Sequence, residues 1–340
     1  MRKILCILLF SITLWGGTPV RIASYNVENL FDLHVNGQEY HEYIPYTSWR
    51  WNRTTYKKKL TNISKVIHEM QCDIIALQEI ESRHALKALQ KALQRRGSYF
   101  PYMAITSKKN TSVHVALLSK YPIVYAKELS VTSSRKYRNI LETKILIDTQ
   151  YLYLFTNHWK AKNAPESRRI VSAKVLQKRL LELGHEKNIV LLGDFNSHYE
   201  EYLTFTKSRK HNNTKGITGI NHILKTTLHR HAVKRSDLLA CSECSYNLWY
   251  EIEKDRRWTH QYRASKEALD SIIITKGLSN HKGLEYIPHS FDRFDPSYLF
   301  KRKKPYRWQR SRSYPRHHTG KGYSDHLPIY ADFKVIDTNE

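Results

Sequence analysis

Apolar residues recur along the chain with two different spacings. In three segments they lie three or four positions apart, the period of a helix with one buried face. This spacing predicts helices over residues 57–70 and 83–96, and a third helix that carries Ile170, Ala173, Leu176, Leu180 and Leu183. Eight shorter runs, rich in β-branched and aromatic residues, predict buried strands. They cover residues 21–25, 73–77, 113–118, 140–147, 151–156, 188–192, 271–275 and 327–333.

Strands and helices alternate without an internal repeat. Eight or more strands covered by three or more helices are typical of a layered α/β domain, because each apolar helix face needs a sheet to pack on. The chain has 340 residues, enough for one sizeable core. We therefore predict a single domain over residues 19–340.

Residues 1–18 have the features of a signal peptide. Arg2 and Lys3 precede an apolar run over residues 4–15, and small residues follow at Gly16 and Gly17. The run is shorter than the roughly 20 residues that a membrane-spanning helix needs. We predict export to the periplasm or the medium and no transmembrane segment in the mature chain. An uncleaved N-terminal anchor is the alternative.

Charge and cysteine content add two expectations. The chain has 56 Lys and Arg against 31 Asp and Glu, a formal charge of +25 that attracts polyanions. Cys241 and Cys244 are close enough in sequence to close a small disulfide loop in an oxidising compartment. A zinc site would need two further ligands, and no second cysteine pair is present.

Polar residues stand where the predicted strands end or begin. Four strands run directly into Asn26 and Glu28, Glu79, His158, or Asp194 and Asn196, whereas Asp270 and the pair Asp325 and His326 open two others. In a sheet with strands of both directions, the tails of one set and the heads of the other share an edge. We expect all of these groups to converge on one site.

The residue types at this edge indicate phosphodiester hydrolysis. Carboxylate and amide oxygens suit Mg²⁺, Mn²⁺ or Ca²⁺ better than zinc. Imidazoles donate and accept protons near neutral pH. A hard cation beside a phosphoryl oxygen, a carboxylate that orients water and imidazoles near the developing charge form a phosphodiesterase site.

Six short strings resemble the motif series of the endonuclease/exonuclease/phosphatase superfamily, in its order. They are Ser-Tyr-Asn26-Val-Glu28-Asn-Leu-Phe-Asp, Ala-Leu-Gln-Glu79, Thr-Asn-His158-Trp-Lys, Leu-Gly-Asp194-Phe-Asn196, Leu-Asp270-Ser-Ile-Ile-Ile and Ser-Asp325-His326-Leu-Pro-Ile. The resemblance implies a four-layer α/β sandwich, in which two mixed β-sheets pack face to face with helices outside. It also implies a divalent-metal site, for Mg²⁺ or else Mn²⁺ or Ca²⁺, at one edge.

The same resemblance implies a role for each motif residue. Glu79 would be the principal metal ligand, helped by Asn26, Glu28 and Asp325. Asp194 and Asn196 would orient the attacking water and the phosphate, His326 would contact a phosphate oxygen with Asp270 as its partner, and His158 would be the second imidazole. Glu28 stands where several DNA-repair members carry aspartate.

His158 also helps to place the chain within the superfamily. A histidine here resembles the deoxyribonuclease-like, sphingomyelinase-like and inositol-phosphatase-like branches. The wider strings His158-Trp-Lys-Ala-Lys and Glu166-Ser-Arg-Arg169 are similar to bacterial secreted nuclease-like members. The deoxyribonuclease branch supplies a carboxylate partner for this histidine, but residues 100–119 contain no acidic residue.

The substrate prediction depends on a basic insertion over residues 296–322, beside the expected site. Nine of the 21 residues from 301 to 321 are Lys or Arg, interleaved with Tyr306, Trp308 and Tyr314. Cations for phosphates and rings for unpaired bases are typical of single-strand binding. The aromatic stretch over residues 40–51 is predicted to pack in a loop. The candidate substrate-binding residues are Asn26, Arg138, Lys160, Arg169, Arg307, Trp308 and Arg310, with a surface salt bridge as the alternative for Arg138 and Arg169.

These observations favour an exported, metal-dependent nuclease, with DNA as the first substrate and RNA as the second. A sphingomyelinase-like or inositol-phosphate phosphatase-like hydrolase on the same fold is the first alternative, and a non-catalytic basic binding module is the second. No protein partner is implied, and a monomer is expected.

Overall fold

Two β-sheets with helices outside them form the framework of the described chain. The computed structural model describes residues 19–205 and 208–336, so the predicted signal peptide lies outside the described residues. The strands are β1 (Val20–Leu30), β2 (Ile74–Ile80), β3 (Tyr102–Ile105), β4 (His114–Ser119), β5 (Ile123–Leu129), β6 (Ile140–Ile147), β7 (Gln150–His158), β8 (Ile189–Asp194), β9 (Thr227–Leu228), β10 (His231–Ala232), β11 (Tyr246–Asn247), β12 (His260–Tyr262), β13 (Ser265–Glu267), β14 (Asp270–Ile274), β15 (Leu284–Tyr286), β16 (Asp292–Arg293), β17 (Phe300–Lys301), β18 (Lys304–Pro305) and β19 (Ile329–Val335). The α-helices are α1 (Arg53–Glu69), α2 (Arg83–Gln94), α3 (Ser167–Leu183) and α4 (Glu201–Thr204).

The two large sheets have related strand orders. The first sheet runs β15-β19-β1-β2-β4-β3, with β16 paired to β19, and the second runs β11-β14-β8-β7-β6-β5. In the first sheet β1 is parallel to β2 and antiparallel to β19. In the second sheet β8 is parallel to β7 and antiparallel to β14. The strand directions are therefore those that bring the polar strand ends of each sheet to a common edge.

The apolar residues are divided among three interfaces. One core fills the space between the two sheets and includes Leu117, Ile145 and Ile272. A second lies between the first sheet and helices α1 and α2, and a third lies between the second sheet and α3. The order helix, sheet, sheet, helix confirms the predicted four-layer α/β sandwich.

Capping residues set the helix starts. The Asn52 side chain accepts hydrogen bonds from the backbone N–H groups of Thr54 and Thr55, so α1 begins at Arg53, four residues before the predicted start. The Ser82 side chain caps α2 in the same way, at the predicted start.

The predicted Cys241–Cys244 disulfide is present, with Cα atoms 5.4 Å apart. Cys244 is fully buried and belongs to the core between the sheets. Within residues 19–205 and 208–336, no helix combines the length and the hydrophobicity of a membrane span.

Candidate active site

The six predicted polar clusters meet at one edge of the sandwich, here called the polar edge. Asn26 lies in β1 and Glu79 in β2, both of the first sheet, while Asp194 closes β8 of the second sheet. Asp194 pairs in register with His158 on one side and with Asp270 on the other. The Asn26 side chain donates a hydrogen bond across the two sheets to Asp194, with 3.0 Å between Nδ2 and Oδ2.

Asp194 is a buried carboxylate of the polar edge, with 2% of its surface exposed. Its Oδ1 accepts the backbone N–H of Asn196 at 2.8 Å, and its Oδ2 lies 3.5 Å from His158 Nε2 and 3.9 Å from His326 Nε2. Burial raises the pKa of Asp194, an effect that the charge of His326 opposes and that of Asp270 reinforces. A carboxylate with a raised pKa is a better proton acceptor near neutral pH.

His326 is held as a cation by Asp270. Its Nδ1 lies 2.7 Å from Asp270 Oδ2, which also accepts the Thr259 hydroxyl at 2.5 Å. Burial disfavours the charged ring, but the carboxylates of Asp270 and Asp194 outweigh burial and raise the pKa of His326 well above its usual value. The other ring nitrogen, Nε2, is therefore left as a donor that faces the site.

His158, in contrast to His326, is kept neutral. Burial, and after it the charge of Arg138, lower the pKa of His158 well below its usual value. Its Nε2 lies 3.8 Å from Glu79 Oε1, and its Nδ1 has no hydrogen-bond partner among the residues that the structure describes. Two imidazoles of one site are thus driven to different protonation states, as expected where one donates and one accepts.

Glu79, Asp325 and Asn26 supply oxygen donors that fit a hard divalent cation. Asn26 Nδ2 donates to Glu79 Oε1 at 3.3 Å, while its amide oxygen accepts the backbone N–H of Glu28 at 3.1 Å. Burial raises the pKa of Glu79, and the neighbouring Asp325 charge raises it further. Two carboxylates that repel each other in a partly buried site are stabilised by a divalent cation between them.

Glu28, predicted to be a metal ligand, contacts the basic insertion with both of its carboxylate oxygens. Its Oε1 accepts Arg307 Nε at 2.9 Å and Nη2 at 2.5 Å, and its Oε2 accepts the backbone N–H of Trp308 at 2.8 Å. Arg307 Nη2 also lies 3.3 Å from Asp325 Oδ2. Both oxygens of Glu28 are therefore committed to holding the basic insertion against the polar edge.

Local backbone irregularities aim the side chains of the polar edge. The pairing of β1 with β2 changes register beyond Asn26, and Glu28 and Glu79 have φ angles of 51° and 66°. Such bulges redirect side chains next to active sites. Gly193, opposite Asn157, has a φ of 126°, and a Cβ there would lie 2.2 Å from the Asn157 carbonyl oxygen. Only glycine permits this close approach immediately before Asp194.

Of the predicted substrate-binding residues, Arg138 and Lys160 lie beside His158. Arg138 lowers the pKa of His158 by its charge and donates to the Trp159 carbonyl oxygen at 3.5 Å. Burial and the neighbouring charges of Arg138, Lys136 and Arg168 lower the pKa of Lys160. The polar edge is therefore bordered by a group of cations on this side.

Two other predicted contacts are contradicted by burial. Arg169 is fully buried and lies 2.7 Å from Glu166, so it stabilises the start of α3 and cannot reach substrate. Trp308 is only 4% exposed and packs with Phe31, Tyr43 and Trp51, so its ring is not available for base stacking. The same cluster confirms that Tyr43 and Trp51 serve loop packing.

Sequence reasoning missed three residues that support the site. Thr259 holds Asp270, and the ring of His260 lies 4.9 Å from that of His326. Lys59 is fully buried, and its Nζ donates to the Tyr323 carbonyl oxygen at 2.9 Å. The available signal was a lysine on the apolar face of α1, one turn before Ile63.

A two-sheet sandwich with carboxylates and imidazoles gathered at one edge defines the protein as a hydrolase of the kind that acts on phosphate esters. The chain belongs to the Endonuclease/Exonuclease/phosphatase family, whose model matches residues 21–335. A comparison with curated proteins finds no match.

Solved structures of similar fold agree with this assignment. A humanized D. rerio TDP2 with 14 mutations has a TM-score of 0.58 at 13% identity, covering 93% of this chain and 99% of that one. D. rerio TDP2 complexed with single strand DNA product has a TM-score of 0.57 at 13% identity, covering 94% and 100%. A family member from Bacteroides thetaiotaomicron has a TM-score of 0.54 at 14% identity, covering 94% and 98%. At these identities the likeness establishes the fold alone.

Proposed function

We propose that this protein is an exported, divalent-metal-dependent nuclease that hydrolyses phosphodiester bonds of DNA and, as a second substrate, RNA. The observation that carries the proposal is the position of Asp194, whose Oδ2 lies 3.0 Å from the Asn26 amide nitrogen and 3.5 and 3.9 Å from the imidazoles of His158 and His326. This arrangement suits a water attack on phosphorus followed by protonation of the leaving group.

Glu79, Asp325 and the amide oxygen of Asn26 would hold the cation, Mg²⁺ or else Mn²⁺ or Ca²⁺. When bound, the cation neutralises charge on the phosphate. Arg307 Nη2 lies 3.3 Å from Asp325 Oδ2. Among the described residues, His158 is the one basic side chain within salt-bridge distance of Glu79.

Asp194 orients the attacking water and accepts its proton. The hydrogen bonds from Asn26 and from the Asn196 backbone fix the carboxylate, while its buried position raises its proton affinity. The Asn196 side chain donates to the Trp159 carbonyl oxygen at 3.2 Å and keeps its backbone N–H in place. A fixed acceptor costs little reorganisation when the reaction occurs.

The two histidines act on the phosphate from different protonation states. His326, a cation because of Asp270, donates from Nε2 to a phosphate oxygen or to the leaving oxygen. His158 remains neutral beside Glu79 and Asp194 and accepts a hydrogen bond at the same site. Both states persist near neutral pH because the pKa of one ring is raised and that of the other is lowered.

The charge around the polar edge supports nucleic acid as the substrate. Arg138 and Lys160 border it on one side, and Arg307 and Arg310 border it on the other. A chain of formal charge +25 is attracted to polyphosphates at long range. The DNA product bound to D. rerio TDP2 shows that this fold accommodates a single strand.

Export is supported by the disulfide between Cys241 and Cys244, since such bonds persist in oxidising compartments. The signal-like residues 1–18 agree with this placement.

The test is incubation of the purified protein with circular DNA, RNA, sphingomyelin vesicles and inositol phosphates in Mg²⁺, Mn²⁺ or Ca²⁺. We expect nucleic acid to be cut, EDTA to stop the reaction and Asp194→Asn to lower the rate by about 10³-fold or more. Asp148→Asn is the matched control, because Asp148 is exposed in the turn between β6 and β7, at the strand end opposite His158. Intact DNA and RNA under all three metals would refute the proposal, and release of phosphocholine or inorganic phosphate instead would favour the lipid or inositol-phosphate alternative.

A further inference from the structure

We propose that residues 309–319, here called the basic hairpin, bind an unpaired strand beside the scissile phosphate, with Tyr314 stacked on a base and Arg312 and Arg316 on neighbouring phosphates. The inference rests on the proposed nuclease function and names its preferred substrate, single-stranded nucleic acid.

The basic hairpin has a rigid base. Gln309 donates its backbone N–H to the Lys321 carbonyl oxygen at 2.9 Å, and Arg310 and His318 form an antiparallel bridge. His318 is buried, with Nδ1 2.8 Å from Trp308 Nε1 and Nε2 2.8 Å from the Glu42 carbonyl oxygen. A base fixed in this way lets the tip present its side chains with little loss of conformational freedom on binding.

The base is also joined to the polar edge. Arg307 and the backbone of Trp308 hold Glu28, and Arg307 reaches Asp325 as well. A cleft of about 450 Å³ lies between the hairpin and this edge. Its lining includes Glu28, Tyr43, Arg307, Arg310, Arg312 and Arg316. The cleft therefore extends from Glu28, which lies next to the predicted metal ligands, along the basic hairpin.

The arginines of the cleft are only partly neutralised. Arg307 pairs with Glu28, and Arg310 lies 3.1 Å from Glu42. Arg312 and Arg316 are exposed and have no carboxylate partner among residues 19–205 and 208–336. Two free guanidinium groups in a cleft beside a phosphodiesterase site complement the phosphates on either side of the scissile bond.

Tyr314 lies at the tip between these two arginines and is 90% exposed. The sequence places three aromatic rings in the basic insertion, at Tyr306, Trp308 and Tyr314. Trp308 is buried and Tyr306 is half-buried, so Tyr314 is the ring that is available for stacking. A base offers its face for stacking only when it is not already stacked within a duplex. The ring therefore gives the hairpin a reason to prefer an unpaired strand, whereas arginines alone would not distinguish the two forms.

The test measures binding, separately from cleavage. A fluorescein-labelled dT12 oligonucleotide and a labelled 12-base-pair duplex are titrated with the protein in EDTA, and the dissociation constant is read from anisotropy. We expect the protein to prefer dT12. We expect Tyr314→Ala to weaken dT12 binding about tenfold and duplex binding less than twofold, with Tyr314→Phe restoring most of the affinity. Arg312→Gln with Arg316→Gln should weaken both ligands.

Matched controls lie at the opposite edge of the sandwich. Tyr99→Ala removes a ring that is 60% exposed beyond the end of α2, and Lys91→Gln with Arg95→Gln removes two exposed charges at the C-terminal end of α2. If Tyr314→Ala binds dT12 as tightly as Tyr99→Ala does, or if it weakens both ligands equally, the hairpin proposal is overturned.

The nuclease proposal has a separate readout. If the unaltered protein cleaves plasmid DNA and Tyr314→Ala binds dT12 as tightly as the unaltered protein does, the hairpin proposal alone is overturned. Binding of dT12 through Tyr314 without cleavage under any metal would overturn the nuclease proposal and leave the binding surface in place.

Discussion

The polar edge and the basic hairpin lie side by side but are held in place by different forces. The catalytic side chains of the polar edge lie in or next to strand ends, and backbone pairing fixes Asp194 beside His158 and Asp270. The basic hairpin is held by side chains, chiefly Trp308 and His318. Sheet pairing determines the positions of the catalytic side chains, while aromatic packing determines the position of the basic hairpin. The two should therefore be separable by mutation.

The largest expected effect is on the polar edge. Asp270→Asn removes the carboxylate that raises the pKa of His326, and we expect kcat to fall by about 10³-fold. His326 acts as a cation below its pKa, so activity is lost as pH rises through that pKa. The alkaline limb of the pH–rate profile should move to lower pH in the variant, while dT12 binding in EDTA stays within threefold. An alkaline limb at the same pH would contradict the assigned partnership.

The second largest effect is expected at Trp308, the buried ring that supports the basic hairpin. Trp308→Ala should lower the free energy of unfolding by about 3 kcal/mol, because a large buried ring leaves a cavity. We expect dT12 binding to be largely lost. Hydrolysis of the small diester bis(p-nitrophenyl) phosphate, corrected for folded protein, should persist. Phe100→Ala, at a buried ring of the first sheet's outer core, is the control, since it lowers stability without affecting either ligand. If Trp308→Ala lowers dT12 binding and diester hydrolysis equally, the polar edge and the basic hairpin are not separable by mutation.

Two glutamates on the neighbouring strands β1 and β2 sharpen the comparison. Glu79→Gln should weaken Mn²⁺ binding about 100-fold, whereas Glu28→Gln should leave it within threefold because Glu28 binds Arg307. Mn²⁺ bound to the protein is counted by electron paramagnetic resonance, so the result does not depend on cleavage. Equal losses in the two variants would restore Glu28 as a metal ligand.

The smallest effect concerns salt. Removal of two phosphate contacts in the Arg312→Gln and Arg316→Gln double variant should reduce the slope of log affinity against log salt for dT12 by about 1.4, at about 0.7 for each contact on a single strand. The Lys91→Gln and Arg95→Gln control should leave the slope unchanged. A slope that does not differ between the two variants would argue against phosphate contacts at the tip.

The same division explains what the sequence predicted. Strand periodicity, strand direction and family motifs predicted the fold and the convergence of Asn26, Glu79, Asp194 and His326. They could do so because the ends of one set of strands and the starts of the other share one edge of a mixed sheet. The charge states of His158 and His326 could not be predicted, since they depend on burial and on Arg138 and Asp270 across the fold.

Side chains in the long connections escaped prediction for a related reason. Arg169 and Trp308 look like substrate contacts by residue type, but the first is paired with Glu166 inside the sandwich and the second fills an aromatic core. Glu28 stands at a family metal position, yet Arg307 from the basic insertion occupies it. Long-range packing of an insertion decides these roles, and no local pattern carries that information.

The most direct test of the account is a double-mutant cycle between Asp194, of the second sheet, and His326, which precedes β19 of the first. Single-turnover cleavage of dT12 is measured for Asp194→Asn, His326→Ala and the double variant. If the two sheets contribute to one catalytic unit, each single variant loses about 10³-fold and the double variant loses no more than about tenfold beyond the slower of them. Losses that multiply in the double variant, or single variants that cleave at the original rate, would contradict the account.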